Sequence, residues 1–294
     1  RGFWGIGDLR AARDSLREAL EVLRTTSEPR HALNCGTWYC VAQLQYEFGD
    51  YEEALASATR ALDVGYQAYG RDHPFVSTSL TVRGASLLRL GDADAARECC
   101  ERALESGQRA CRHLHEDIAV ARGHLAGALR IAGERAMAAE HLTHALEELP
   151  RLCGDTTRVA MVAHLTWAEL MRDQGQLESA RQHCEAALHA FQRSYSEAHP
   201  GCLPALRLLG TLEREQGDSA RAVETFREAV RCAEQAELGR HPDALSCAQQ
   251  LAELGRRSEG APSRPSKIRA KRFIERTVEH AQAAARRMPW RRKR

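Results

Sequence analysis

The sequence predicts an all-α solenoid of antiparallel helix pairs, and three observations carry that reading. Gly7, Gly49, Gly91, Gly133, Gly175 and Gly217 recur at an unvarying spacing of 42 residues. Alanine stands five residues after each glycine (Ala12, Ala54, Ala96, Ala138, Ala180, Ala222) and twelve after it (Ala19, Ala61, Ala103, Ala145, Ala187, Ala229) without exception. Segments on both sides of the glycine carry apolar residues at helical spacing, as in Trp38–Phe48, Leu80–Leu90 and Leu206–Gln216 before it and Tyr51–Tyr69 and Ala93–Cys111 after it. Composition alone does not produce such agreement, so the chain is one unit copied several times.

Each part of the unit has a physical reason. A chain leaving a helix needs a left-handed backbone position, which glycine reaches without steric cost. The residue after the glycine is Asp8, Asp50, Asp92, Glu134, Gln176 or Asp218, and an acidic side chain there caps the second helix and favours its positive end. The short turn makes the two helices antiparallel neighbours. Where they cross, a side chain larger than methyl would hold the backbones apart, so alanine at the fixed positions permits close packing and Ala96→Leu should open the crossing.

A further signal lies 24 residues past the glycine, where histidine occurs at His31, His73, His115, His199 and His241, followed by Pro74, Pro200 and Pro242 in three copies. Proline suits the first helical position, having a preset φ and no amide hydrogen, so each pair marks the next helix start. The fourth unit has Thr157 and Arg158 instead, which predicts a less regular junction.

The residues at 49–55 (Gly-Asp-Tyr-Glu-Glu-Ala-Leu), 60–62 (Arg-Ala-Leu) and 70–74 (Gly-Arg-Asp-His-Pro) resemble the tetratricopeptide repeat, and more narrowly its 42-residue variety in kinesin light chains. The ordinary repeat is about 34 residues, so the extra length fits a second helix roughly 12 Å longer at ~1.5 Å per residue. The resemblance covers about residues 1–255. It implies a right-handed α-solenoid with five complete units between residues 33 and 242, partial units at either side and a terminal helix at Asp243–Leu254. Kinesin light chains carry asparagine nine residues before the glycine; here those positions hold Cys40, Val82, His124, Thr166 and Leu208.

Length and composition fit this reading. Of the 294 residues 43% are apolar and 5% aromatic, enough to bury surface between neighbouring alanine- and leucine-rich units. No stretch approaches the ~20 apolar residues that cross a bilayer. Arg1 falls inside the first helix of a unit, with Trp4 where later copies have Tyr46 and Leu88, so a fragment of a longer chain is expected. The ten cysteines include no Cys-x-x-Cys, and Cys100 and Cys184 share a repeat position with Leu16, Leu142 and Phe226. They read as reduced, buried, small apolar side chains, which points to a reducing, cytoplasmic compartment, with the nucleus as the alternative.

The net charge of +2 is unevenly spread. Residues 256–294 hold 14 Lys/Arg against Glu259, Glu275 and Glu279, which is +11 and leaves −9 for residues 1–255. Residues 256–266, with Gly260, Pro262 and Pro265, read as a linker. Residues 267–294 read as a basic amphipathic helix with Ile268, Phe273, Ile274 and Val278 on one face. Such a tail suits an anionic membrane surface, nucleic acid, an acidic protein, nuclear import or the acidic solenoid itself.

No phosphate loop, zinc-protease helix or nucleophile elbow is present, and no catalytic residue, metal site or cofactor is expected. His141 and His144 could share a helix face, as could His113 and His115, but a metal needs further ligands. The resemblance assigns the position three residues before each glycine to the concave face, where the array reads Trp4, Tyr46, Leu88, Arg130, Arg172 and Arg214. Arg130, Arg172 and Arg214, joined by Arg89 and Arg207, make a ladder of guanidinium forks suited to carboxylates or phosphates at the basic end of a groove whose other end is apolar and aromatic; the alternative is that they are solvated or paired with Glu169, Asp173 and Glu215 nearby. The expected function is a non-catalytic scaffold that holds an acidic or apolar-anchored peptide segment of a partner protein, through Tyr46, Leu88, Arg89, Arg130, Arg172, Arg207 and Arg214. The alternatives are a sensor region controlling an upstream effector domain and an adaptor led by the basic tail.

Overall fold

The computed structural model describes residues 9–25, 32–110, 115–148, 157–194 and 199–259. These residues form α1 (Leu9–Thr25), α2 (Leu33–Glu47), α3 (Tyr51–Tyr69), α4 (Pro74–Leu90), α5 (Ala93–Ala110), α6 (His115–Ile131), α7 (Arg135–Glu148), α8 (Thr157–Asp173), α9 (Leu177–Ser194), α10 (Leu203–Glu215), α11 (Ser219–Gln235) and α12 (Pro242–Glu259). The array is a right-handed α-solenoid of antiparallel pairs, with no strand among the described residues. Each pair packs internally, and its first helix also packs on the first helix of the next pair: α2 on α4, α4 on α6, α6 on α8, α8 on α10 and α10 on α12. Those first helices therefore form the inner wall.

The fixed alanines explain the close pairing. Ala54, Ala61, Ala96, Ala103, Ala138, Ala145, Ala180, Ala187, Ala222 and Ala229 are completely buried. The partner surface is small as well: seven residues before the glycine stand Ala42, Gly84, Ala126, Ala168 and Gly210. A β-carbon at Gly84 would lie 2.6 Å from the Cys100 sulfur and 3.3 Å from the Ala96 carbonyl oxygen. Both members of a pair thus lose side-chain bulk where they cross, and larger residues fill the space beyond, among them Leu142, Cys100, Cys184 and Phe226 at one shared register.

The turns are built as the spacing predicts. Gly49, Gly91, Gly133, Gly175 and Gly217 all have φ between +76° and +89°. The amide after each bonds back across the turn, as Asp92 N–H does to the Leu87 carbonyl at 2.9 Å, which satisfies a carbonyl the helix end would leave open. The acidic residue caps the second helix in some copies: Asp92 and Asp218 carboxylates accept from the Ala95 and Arg221 amides, whereas Asp50 makes no such bond.

The His-Pro signal marks helix starts through the histidine itself. Nδ1 of His73, His199 and His241 accepts the amide N–H two residues on, at 3.2 Å in each case. Pro74 and Pro242 open α4 and α12, while Pro200 opens a 3₁₀ turn, Pro200–Cys202, ahead of α10. His31 and the junction at 149–156 lie outside the described residues, as do Trp4, His113, Cys111, Cys153 and the whole segment 260–294 with its expected amphipathic helix. The last helix continues to Glu259, past Arg256, where the linker was expected to begin. All the described cysteines are reduced and all but Cys40 are buried. No described helix is long and apolar enough to cross a membrane.

The solenoid completes a turn and meets itself. Phe48 and Ala12 near the N-terminal end pack with Ala236 and Leu238 of the turn between α11 and α12. Arg13 donates to the Glu237 carbonyl at 2.6 Å, and the Tyr51 ring stands edge-on to His241 at 6.4 Å between centroids. Gly49 lies so near this turn that a β-carbon on it would be 2.5 Å from the Pro242 ring.

Candidate functional site

Closure turns the inner wall into a hollow of about 470 Å³ bounded by α2, α4, α6, α8, α10 and α12. Helical periodicity decides which side chains face it, since residues three, four and seven apart share a face. On α2 those are Tyr39, Gln43, Tyr46 and Glu47; the next helices bring Val82, Ala85 and Leu88, then His124, Gly127 and Arg130, then Leu165, Thr166 and Glu169. The surface is a mosaic of tyrosines, small apolar residues and paired charges.

Of the residues expected from the sequence, Tyr46, Leu88, Arg89, Arg130 and Arg207 line the hollow, while Arg172 and Arg214 are not among its lining residues. The arginine register acts as a stitch. Arg130 reaches Glu169 at 2.9 Å and Asp173 at 2.5 Å, and Arg172 grips Glu215 through Nε and a terminal nitrogen at 2.9 and 2.5 Å. Arg214 bonds the Gln250 side-chain oxygen and lies 3.9 Å from Glu253. Each arginine thus reaches one unit ahead on the inner wall, tying consecutive first helices together. Arg89 and Arg207, from α4 and α10, both hold Asp243 at the start of α12, each at 2.7 Å. The Arg89 guanidinium also lies over the Tyr51 ring, 4.9 Å from its centre.

The residue that sequence reasoning passed over is Arg158. It stands where three other units have proline, and from α8 it spans the hollow: it pairs with Asp117 at 2.8 Å and Glu116 at 3.6 Å on α6 and hydrogen-bonds Tyr39 on α2. The break in the His-Pro pattern at Thr157-Arg158 was the signal. Glu47, Asp117, His124, His241 and Asp243 were also missed, because only closure brings them together.

The enclosure shifts the ionisable groups. Burial raises the Glu47 carboxyl to about 7, offset only in part by Arg158. Burial, reinforced by Arg158, lowers His124 to about 4, and burial likewise lowers His241 to about 4 despite Asp243. A neutral imidazole is what the His241 cap requires, since Nδ1 accepts there. Although burial opposes it, the Arg89 and Arg207 charges hold Asp243 below the usual carboxylate range. Burial pushes Tyr51 up to about 12 against the pull of Arg89. Among the described residues no group of three His, Cys, Asp or Glu side chains is arranged to hold a metal ion.

Comparison with known proteins bears on this architecture. Family profiles described as Tetratricopeptide repeat match residues 42–111, 80–147 and 158–235. The chain belongs to the tetratricopeptide-repeat family. No curated protein sequence matches this tetratricopeptide-repeat chain. Among solved structures, NprR in complex with its cognate peptide NprX is similar at 13% identity and a TM-score of 0.65, covering 92% of this chain and 72% of that one. The apo form of RapI is similar at 15% identity and a TM-score of 0.53, covering 86% and 94%. A putative kinesin light chain of Podosopora anserina with nearly identical TPR-like repeats matches at 16% identity and a TM-score of 0.45, covering 70% and 98%. At these identities the likeness is one of fold.

Proposed function

We propose that this tetratricopeptide-repeat chain is a protein-interaction module that takes a short peptide segment of a partner protein into its hollow. The observation that carries the reading is the enclosure itself: about 470 Å³ with tyrosine, small apolar and charged groups converging on it, within the ~300–1,000 Å³ range of sites that bury a small ligand. Tyr46, Leu88, Arg89, Arg130 and Arg207 are the contact residues in this reading. Arg172 and Arg214 support it indirectly, by holding the inner helices in register. NprR, whose structure contains its cognate peptide, shares the fold across most of this chain, which supports a peptide over other occupants.

The test uses an array of hexapeptides probed with the full chain and with Gly127→Phe. Gly127 lines the hollow, and a β-carbon there would meet only the Leu88 and Thr166 side chains at 3.4 and 3.8 Å, so the aromatic ring is accommodated by filling the hollow. Selective capture by the wild type and loss of capture by a folded Gly127→Phe are expected. Equal capture by both, or none by either, would refute the proposal.

A regulatory role is the second reading, favoured by the seam at which Ala12, Arg13 and Phe48 meet Ala236, Glu237 and Leu238. A ligand that touches both α4 and α12 biases this seam, and through it any domain joined to α1. A change in scattering radius when a captured peptide is added would support this role; an unchanged radius would remove it.

A further inference from the structure

The hollow's carboxylates are not equivalent. Asp117 pairs with Arg158 at 2.8 Å, Glu169 with Arg130 at 2.9 Å, and Asp243 with both Arg89 and Arg207 at 2.7 Å. Glu47 lines the same space, yet among the described residues no arginine lies within ion-pairing distance of it, and it senses Arg158 only at longer range. Arg158 is already committed to Asp117 and Glu116, which leaves Glu47 without a close guanidinium. Aromatic surface flanks the unpaired group: Tyr46 and Tyr51 also line the hollow, both feel the Glu47 charge, and their rings stand 5.3 Å apart. A carboxylate without an arginine partner, beside tyrosine rings in a half-enclosed hollow, is the chemistry that receives a cation.

We propose that Glu47 is the anchor for a cationic group of the bound peptide, an N-terminal ammonium or a lysine or arginine side chain, held against the Tyr46 and Tyr51 rings. This rests on the peptide reading above and differs in sign from the expected arginine ladder: the arginines are paired with carboxylates of neighbouring units, and Glu47 is the lining carboxylate without an arginine partner among the described residues. Facing the Glu47 region are Tyr39 and Tyr46 on α2, Tyr51 on α3, Arg89 on α4, Asp117 and His124 on α6, Arg158 on α8, and His241 and Asp243 on α12. His124 and His241, lowered to about 4, carry no charge near neutrality, and the tyrosines are raised, whereas Glu47 at about 7 changes charge there. Cation uptake needs the ionised carboxylate, so it releases a proton, and affinity falls about tenfold per pH unit below 7.

The test takes peptides captured by the hexapeptide array and measures their affinity for the full chain at pH 6, 7 and 8. Each is compared with a version whose N-terminus is acetylated and whose Lys or Arg is replaced by Gln. Glu47→Gln and Glu47→Asp are measured in parallel, with thermal melting to show that they fold. The proposal expects captured peptides to carry a cation, and a loss of about tenfold or more on neutralising that cation or on Glu47→Gln. The two changes together should cost no more than either alone, Glu47→Asp should restore part of the affinity, and the pH dependence should vanish in Glu47→Gln. Captured peptides without a cation, or unchanged affinity and pH dependence in a folded Glu47→Gln, would overturn it while leaving peptide binding intact. An array with no captured peptide overturns the peptide reading and this inference with it.

Discussion

Self-contact of the solenoid can be tested with a matched pair of substitutions, Gly49→Ala and Gly91→Ala. Both glycines hold the same turn position, with φ of +82° and +89°. A β-carbon in the left-handed region costs about 1–2 kcal/mol, and this is the whole cost at Gly91, where nothing lies within 4 Å of the new atom. At Gly49 the new atom would also sit 2.5 Å from Pro242 Cδ and 2.9 Å from His241 Cδ2, both ring atoms held by the start of α12. The turn between α11 and α12 must then yield, which loosens the Tyr51–His241 contact and the Arg89–Asp243 pair. Overpacking of this kind costs about 1–3 kcal/mol. Gly49→Ala should therefore destabilise the chain by about 1–3 kcal/mol more than Gly91→Ala in urea unfolding, and should enlarge the scattering radius, which Gly91→Ala should not. Equal unfolding midpoints and equal radii would refute the closed arrangement.

Other perturbations probe separate parts of the account. Ala96→Leu inserts bulk opposite Gly84 at a completely buried crossing and should cost about 1–3 kcal/mol by thermal melting; an unchanged melting temperature would contradict the small-residue crossing. Asp243→Asn leaves Arg89 and Arg207 without their shared carboxylate and should cost about 3–5 kcal/mol near neutral pH. Because Asp243 is held below its usual range, this contribution is present above that range and lost as pH falls through its folded value, so wild type and variant should converge in acid. Glu47 has the opposite sign: its carboxyl is raised from 4.5 to about 7, so its favourable contribution is present below 4.5 and lost as pH rises through 7. Glu47→Gln should therefore stabilise the empty chain at pH 8 by up to about 3 kcal/mol and flatten its stability between pH 4.5 and 7, as read from denaturation at several pH values. An equal pH slope in both proteins would show that Glu47 is not enclosed.

Sequence periodicity reported the architecture well because a solenoid repeats its local chemistry. Gly91 and its counterparts needed positive φ, Ala96 and its counterparts needed to vanish at a crossing, and His73 needed to cap a helix; each requirement is local and recurs every 42 residues. The hollow is a different matter. Arg130, Arg172 and Arg214 were visible as a register and Glu169, Asp173 and Glu215 as their possible partners, but the partners lie one unit ahead, so only the packed wall decides that the guanidinium groups are paired, Arg214 with Gln250. Asp243 meets Arg89 across 154 positions, a distance set by the pitch of the whole superhelix rather than by any repeat. Glu47 is distinguished by the lack of an arginine partner among the described residues, and only the assembled wall reveals that. Arg158 was legible in principle, as the side chain that breaks the His-Pro rule.

Calorimetric titration of a captured hexapeptide into wild type and into Gly127→Phe tests the central claim most directly. One site per chain in wild type, with no measurable heat of binding in the folded variant, is the expected result. Binding of the same strength in both proteins would mean that the hollow is not where the partner is held.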